Sequence, residues 1–229
     1  MEGQTCYKDS KVAVLMVPFP AQGHLNQLLH LSNLITSYGI PVHYAGSSVH
    51  NRQAKLRLHG WNAEILSKIH FHDFNLPPYS SPPPKPDPAV HFPTHLLPLF
   101  DASEHLHEPV SQLLQQLSSK FRRVIVIHDC LMASVVQDVR DIPNAELYAF
   151  IPISAFTPFF NSWDKMPQKP FTLDSNVPKG IQSTEGGLTP RVTSFIVNQR
   201  DHLGFESGRI YNTSRVIEDE YIELLMKLP

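Results

Sequence analysis

The chain has 229 residues, which corresponds to one or two domains at about 150 residues each. Its 19 Lys and Arg residues nearly balance 21 Asp and Glu residues, giving a formal charge of −2 with no block of like charges, which excludes the basic footprint of a nucleic-acid-binding protein. Hydrophobic residues make up 41% of the chain, so a folded globular protein is expected rather than a disordered one.

The longest apolar run of the sequence is too short to cross a membrane. It spans 12–21 and contains two prolines, whereas a membrane-spanning helix needs about 20 apolar residues. Charges of both signs in 1–11 do not fit a secretory leader. Two cysteines, Cys6 and Cys130, are too few for a disulfide framework and are typical of a reducing compartment. We therefore predict a cytoplasmic protein with no membrane partner.

The first part of the chain alternates strand and helix patterns. Residues 11–17 form an apolar, β-branched run that is typical of a strand buried on both faces. After a turn at 18–24, apolar residues recur at spacings of three and four, which predicts a helix over 25–35 that ends before Gly39 and Pro41. The next predicted elements are a strand at 42–45, a helix at 49–58 and a strand at 68–71.

A proline-rich segment follows these elements. Nine of the 21 prolines fall between residues 77 and 98, and each of them fixes φ and removes a backbone donor. The composition predicts a long, stiff surface loop over 77–98 rather than a helix or a central strand. Such a loop can form the rim of a binding site or serve as a ligand for an aromatic-grooved module.

The second part of the chain repeats the alternation of strands and helices. An amphipathic stretch at 95–117, interrupted near Pro98, precedes it. The predicted elements are then a strand at 123–127, a helix at 131–139, a strand at 146–150, a helix at 154–163, an irregular segment at 164–190, a helix at 193–200, a strand at 209–212 and a helix at 218–227. This alternation predicts an α/β fold with a doubly wound, mostly parallel sheet.

The predicted topology selects candidate site residues. In doubly wound sheets, ligands bind beyond the carboxyl ends of the strands where the strand order reverses, commonly between the first and fourth strands. Gln22, Gly23 and His24 follow the first predicted strand, and His128 and Asp129 follow the fourth. We therefore expect these two groups to face each other across one crevice.

His24 and Asp129 have side chains suited to base catalysis. His24 begins a predicted helix, whose positive dipole end disfavours the imidazolium form, and a neutral imidazole is a usable general base. Asp129 would fix the tautomer of His24 and stabilise the charge that the ring gains. No G-x-S-x-G elbow supplies a nucleophile, so the base would deprotonate a substrate hydroxyl. The alternative is structural, with His24 only beginning a helix and Asp129 only capping the next.

Other chemistries have weaker signals in the sequence. The pairs His70-x-His72 and His105-x-His107 suggest a metal-dependent hydrolase as an alternative. With 13 histidines in the chain, such pairs arise easily by chance, so we predict no metal site. The G-x-G-x-x-G and G-x-x-x-x-G-K-[ST] fingerprints are absent, so neither NAD nor a nucleoside triphosphate has its usual cradle in this sequence.

Three ordered segments resemble the plant family 1 UDP-dependent glycosyltransferases. Residues 17–27 (VPFPAQGHLNQ) resemble the amino-terminal signature of that family, 128–134 (HDCLMAS) the segment with its catalytic aspartate, and 208–218 (GRIYNTSRVIE) the end of the same domain. The resemblance is strongest to the zeatin O-glucosyltransferase branch, including its cis-zeatin members, and covers essentially the whole chain. It implies the Rossmann-like amino-terminal half of a GT-B architecture.

The resemblance implies roles for individual residues. His24 matches the base that activates the acceptor hydroxyl, and Asp129 matches the aspartate that pairs with it. The acceptor-binding positions that it implies are Gly23, Phe92, Ser154 and Phe156. The segments around His24 also offer aromatic rings and few fixed charges, so we expect a flat, apolar acceptor with one hydroxyl. The rings expected at this crevice are Phe19, Phe92, Phe150 and Phe156.

The implied reaction is an inverting transfer of a hexosyl group from a UDP-sugar, with UDP-glucose expected, to a hydroxyl of a small molecule such as zeatin. The family binds the donor with a second, carboxy-terminal domain, and 1–229 contains no counterpart of it. We therefore predict one acceptor-binding domain over 1–229, without the donor-binding domain, without a cofactor of its own and inactive alone. The alternative is a truncated, non-catalytic binding protein.

Overall fold

A six-stranded sheet forms the centre of the computed structural model, which describes residues 11–83, 94–173 and 188–228. All neighbouring strands are parallel, in the order β3-β2-β1-β4-β5-β6. The strands are β1 (Val12–Val17), β2 (Val42–Ser47), β3 (Ile69–Phe74), β4 (Arg123–Asp129), β5 (Ala145–Ile151) and β6 (Gly208–Tyr211). The order reverses between β1 and β4, which confirms the predicted doubly wound α/β fold.

Helices cover both faces of the sheet. They are α1 (Gln22–Ser37), α2 (Ser48–Lys55), α3 (Ala63–Leu66), α4 (Leu97–Glu104), α5 (His107–Lys120), α6 (Phe156–Lys165), α7 (Pro190–Asp201) and α8 (Arg215–Met226), with a 3-10 segment at Cys130–Asp141 between β4 and β5. None of the helices in the described ranges is long and apolar enough to cross a membrane. The cytoplasmic location stays a prediction.

Strand β1 shows how one sheet serves two cores. Ala13, Leu15 and Val17 lie in a core with α4, α5, α7 and the 3-10 segment. Val14 and Met16 lie in a second core with α1 and α2. Because side chains alternate along a strand, this continuous apolar run buries both faces of the sheet. The two cores hold β1 and β4 rigidly, and thereby fix the positions of their carboxyl ends.

The proline-rich loop ends earlier than the sequence predicts. A 3-10 turn occupies Thr94–Leu96 and α4 begins at Leu97, so Pro98 lies in the first turn of a helix. Proline is tolerated there because the first backbone N–H groups of a helix have no intrahelical partner. The predicted interruption near Pro98 is therefore wrong, and the break falls between α4 and α5. Residues 84–93 lie outside the described ranges.

Three histidines of β2 and β3 lie together under the end of α5. His43 is 9% exposed, its Nδ1 lies 2.9 Å from Nε2 of His72, and its ring lies 5.1 Å from that of His70. Burial, followed by the nearby His72, His70 and Lys120, lowers the pKa of His43 to about 3. Burial also lowers the pKa values of His70 and His72. The folded protein therefore holds these imidazoles in their neutral forms near pH 7.

We expect acid to destabilise the fold through this cluster. The pKa of His43 in the folded chain lies below the ordinary histidine value of 6.5. Unfolded chains therefore take up the proton first, and the free energy of unfolding falls as the pH drops below 6.5 toward 3. One such group contributes at most about 1.4 kcal/mol per pH unit in that window. Urea titrations at pH 7 and pH 4.5 should show that acidification lowers the free energy of unfolding less in His43→Leu than in the wild type. An equal loss in both proteins would exclude His43 as a source of the acid sensitivity.

Candidate active site at the β1–β4 switch point

His24 and Asp129 come from the two strands that flank the switch point. His24 is the third residue of α1, which follows β1 after a short turn. Asp129 is the last residue of β4 and caps the 3-10 segment, because its Oδ1 accepts the Leu131 N–H at 3.0 Å. On β4, Asp129 shares the face of Ile127, which packs in the core with α1. The alternation along β4 therefore aims the carboxylate at the start of α1.

The two side chains are in direct contact. Nδ1 of His24 lies 2.6 Å from Oδ2 of Asp129, and the side-chain exposures are 26% and 0%. The prediction that these residues face each other is confirmed. A carboxylate accepts from the imidazole N–H, so the hydrogen of neutral His24 lies on Nδ1 and Nε2 carries the lone pair. Nε2 has no hydrogen-bond partner among the described residues, and the side chain of His24 is partly exposed.

The ring of Phe19 limits the movement of His24. Phe19 is 2% exposed, and its ring meets that of His24 nearly edge to face, with the centroids 5.2 Å apart. Phe19 itself packs against Phe100 of α4 and Phe195 of α7. His24 is thus bounded by an aromatic wall that belongs to the core and by the Asp129 carboxylate. These two contacts fix the direction in which Nε2 of His24 points.

Two ionisable side chains near Asp129, those of Tyr44 and Cys130, are neutral. Burial, and then the charge of Asp129, raise the pKa of the Tyr44 phenol and of the Cys130 thiol far above the neutral range. The Tyr44 hydroxyl donates to the carbonyl of Leu25 at 2.8 Å, and Tyr44 is fully buried. The sequence did not indicate a role for Tyr44 or Cys130, because their proximity to Asp129 depends on strand register and on a tight turn.

His128 does not belong to the crevice, contrary to the prediction. It is 0% exposed, and its Nδ1 lies 2.8 Å from the carbonyl of Asp129. Neighbouring residues of a strand point to opposite faces, so His128 faces away from α1 where Asp129 faces toward it. Burial lowers the pKa of His128, which favours the neutral ring in the core.

The predicted acceptor-binding residues occupy different environments. Gly23 is exposed, and a Cβ built on it would meet nothing within 4 Å, so open space adjoins His24. Ser154 is exposed just before α6, and the Phe156 ring packs against Phe160 and Tyr221. Phe92 lies outside the described residues. The acceptor-binding roles of Gly23, Phe92, Ser154 and Phe156 stay predictions.

Two of the expected aromatic rings do not offer a surface to a ligand. Phe19 and Phe150 are 2% and 3% exposed and belong to the two cores. The expectation that they line an open crevice is wrong, because the strand and the turn that carry them use these rings to fill the interior. Phe19 instead acts on the site through its contact with His24.

The histidine pairs of the sequence do not assemble into a metal centre in the part of the chain that the structure describes. No group of three or more His, Cys, Asp or Glu side chains there is placed to hold a metal ion. His72 is hydrogen-bonded to His43, while Nε2 of His107 lies 3.1 Å from Oδ2 of Asp138. The two pairs therefore lie in separate surroundings.

The chain belongs to the family of glycosyltransferase N-terminal domains. The model of that family, described as "Glycosyltransferase, N-terminal domain", matches residues 10–228. The predicted resemblance to plant UDP-glycosyltransferases is confirmed by this match and by curated relatives from plants.

Two curated relatives are zeatin glycosyltransferases. The chain is 51% identical to the zeatin O-glucosyltransferase of Phaseolus lunatus over 95% of this chain and 46% of the relative. It is 50% identical to the zeatin O-xylosyltransferase of Phaseolus vulgaris, also over 95% of this chain and 46% of the relative. The chain therefore spans about half the length of these relatives.

A solved structure shares the fold at low sequence identity. It is Phytolacca americana UGT2 complexed with UDP-2fluoro-glucose and pterostilbene. The TM-score is 0.63 at 17% identity, over 95% of this chain and 51% of that one. This similarity supports the Rossmann-like half of a GT-B architecture.

We expect Asp129 to set the tautomer of His24. In Asp129→Asn, the side-chain oxygen can still cap the 3-10 segment, while the amide N–H would donate to Nδ1 of His24. The ring hydrogen would then move to Nε2. Nitrogen-15 NMR of the imidazole distinguishes the two forms, and Asp73→Asn is the control because Asp73 pairs with Asn51 and Lys55 instead. A His24 tautomer unchanged in Asp129→Asn would contradict this assignment.

Proposed function

We propose that residues 1–229 form the acceptor-binding domain of a UDP-sugar-dependent O-glycosyltransferase. The observation that carries the proposal is the contact of 2.6 Å between His24 Nδ1 and the fully buried Asp129 carboxylate at the switch point of the sheet. It leaves a basic nitrogen at the carboxyl edge, which is where ligands bind in this class of fold. Membership in the glycosyltransferase family supports the same reaction.

His24 acts as the general base in this proposal. Its Nε2 takes the proton of the acceptor hydroxyl while the hydroxyl oxygen attacks C1 of the sugar. The bond between C1 and the UDP oxygen breaks, UDP leaves with that electron pair, and the configuration at C1 inverts. The imidazolium so formed lies against Asp129, whose negative charge stabilises it. The step needs a base and an oriented hydroxyl but no nucleophile from the protein.

The acceptor that we propose is a cytokinin with a side-chain hydroxyl, such as zeatin. Two relatives at 50% identity or more carry names that specify zeatin as the molecule glycosylated on oxygen. Their names specify different sugars, glucose in one and xylose in the other. We propose UDP-glucose as the donor, bound mainly by a domain corresponding to the other half of the relatives.

We expect removal of the His24 imidazole to lower kcat more than removal of the Asp129 charge does. A suitable enzyme is a chimaera in which this chain replaces the matching segment of the Phaseolus lunatus zeatin O-glucosyltransferase. His24→Ala should lower kcat about 10²–10⁴-fold while acceptor binding stays nearly intact. Asp129→Asn should cost less, because the ring remains but its tautomer is wrong.

The control for this comparison is His59→Ala, since His59 is exposed beyond the end of α2. Transfer rates measured at saturating donor and acceptor separate the variants. Wild-type rates in His24→Ala or in Asp129→Asn would remove the pair from the mechanism.

A competition experiment tests the proposed acceptor. The same chimaera is offered trans-zeatin, cis-zeatin and a flavonoid aglycone at equal concentrations, and the three products are quantified by chromatography. We expect the zeatins to be preferred, because about half of the positions of this chain are identical to those of zeatin glycosyltransferases. A preference for the flavonoid would refute the cytokinin assignment and leave the proposed transfer reaction in place.

A further inference from the structure

A cavity opens at the carboxyl ends of β2 and β3. Its volume is about 400 Å³, within the range of small-molecule pockets. Its walls come from the start of α2 and from the segment that follows β3. The lining includes Ser47, His50, Pro77, Pro78 and Tyr79.

The cavity lies within reach of His24. Strands β1, β2 and β3 are consecutive neighbours in the sheet, and neighbouring strands lie about 4.8 Å apart. In strand register β2 and β3 end two residues beyond the level of Val17, so their carboxyl ends lie roughly 8 and 12 Å from that of β1. Helix α1 and His24 follow the end of β1 after a short turn. An acceptor with its hydroxyl at His24 and a ring system joined to it by a short side chain can span this distance.

The cavity suits a flat, uncharged ring. Its lining contains no Asp, Glu, Lys or Arg residue, and Pro77, Pro78 and Tyr79 contribute flat faces. Tyr79 is 40% exposed, so its ring is available to a ligand. A phosphate group would find no cation in this lining, and therefore the cavity fits the ring of the acceptor rather than the donor nucleotide.

His50 is the polar group of this cavity with a fixed orientation. His50 and Ser47 are 7% and 2% exposed, and His50 Nδ1 lies 2.6 Å from the Ser47 hydroxyl oxygen. That oxygen already accepts the His50 backbone N–H at 3.3 Å, and we assign its own hydrogen to the contact with Nδ1. Neutral His50 then carries its own hydrogen on Nε2. Nε2 has no partner among the described residues, and His50 lines the cavity.

We propose that His50 determines acceptor specificity by donating a hydrogen bond from Nε2 to a ring nitrogen of the acceptor, held in this cavity. The inference rests on the proposed function, because it takes a nitrogen heterocycle such as the zeatin ring as the ligand. Ser47 is a positioning residue that sets the tautomer of His50. The hydroxyl to be glycosylated lies at His24, and His50 recognises the opposite end of the same molecule.

Calorimetric titration of the 229-residue chain with trans-zeatin tests the contact. His50→Leu should raise Kd about 3–10-fold, the effect of one neutral hydrogen bond. His50→Gln should restore most of the affinity, because its amide N–H can take the place of Nε2–H. The control His59→Leu should bind as the wild type does. An analogue of zeatin in which CH replaces the ring nitrogens should bind the wild type more weakly than trans-zeatin does. It should bind His50→Leu with the same affinity as trans-zeatin does.

A second measurement needs no variant. Nitrogen-15 NMR of the wild-type chain should show a shift of the His50 Nε2–H signal when trans-zeatin is added, and no shift with the CH-substituted analogue. In the chimaera, His50→Leu should raise the KM for zeatin by the same factor as Kd.

Unchanged Kd in His50→Leu, absence of saturable binding, or an unshifted Nε2–H signal would each overturn the inference. Failure of the proposed function has a different signature. His50-dependent binding of zeatin together with a chimaera that transfers no sugar would refute the transferase proposal and leave the assignment of the cavity intact.

Discussion

The burial of the Asp129 carboxylate is the constraint on which the site depends. A carboxylate that is 0% exposed is costly unless its lone pairs are satisfied. The Asp129 carboxylate accepts hydrogen bonds from the ring of His24 and from the N–H of Leu131. The Cys130 thiol also forms a hydrogen bond with it. The end of β4, the start of α1 and the 3-10 segment are thereby tied to one group. These contacts can form because β1 and β4 are neighbours in the sheet.

The order of the strands also separates the interior of the sheet from its open edge. The continuous apolar run of β1 fills two cores and leaves no polar side chain within this strand. His24, Asp129 and the Ser47–His50 pair all lie at or beyond the carboxyl ends of strands. The same sheet therefore positions the His24–Asp129 pair at the ends of β1 and β4 and a cavity beyond β2 and β3.

Much of this arrangement could be predicted from the sequence, because it depends on periodicity and on one topological rule. The β-branched runs predicted the strands, and the rule for doubly wound sheets brought His24 and Asp129 together. The prediction was wrong where a residue's environment is set by tertiary packing. Phe150 is buried in the core that also contains α1, and Pro98 is accommodated in the first turn of α4. The side of β4 on which His128 lies could have been read from simple alternation.

Glu218 shows why a buried or bonded carboxylate alone does not define a catalytic site. Helix α6 has no side-chain cap of its own, and the Glu218 carboxylate accepts the Ala155 N–H at 2.9 Å from 63 positions away. The hydrogen bond from Thr213, together with those from Ala155, Phe156 and Ser154, lowers the pKa of Glu218. These partners are backbone amides and hydroxyls, which hold a loop but cannot store a proton. Asp129 instead faces an imidazole whose Nε2 has no partner among the described residues, and in the proposed mechanism this ring makes the carboxylate part of a base.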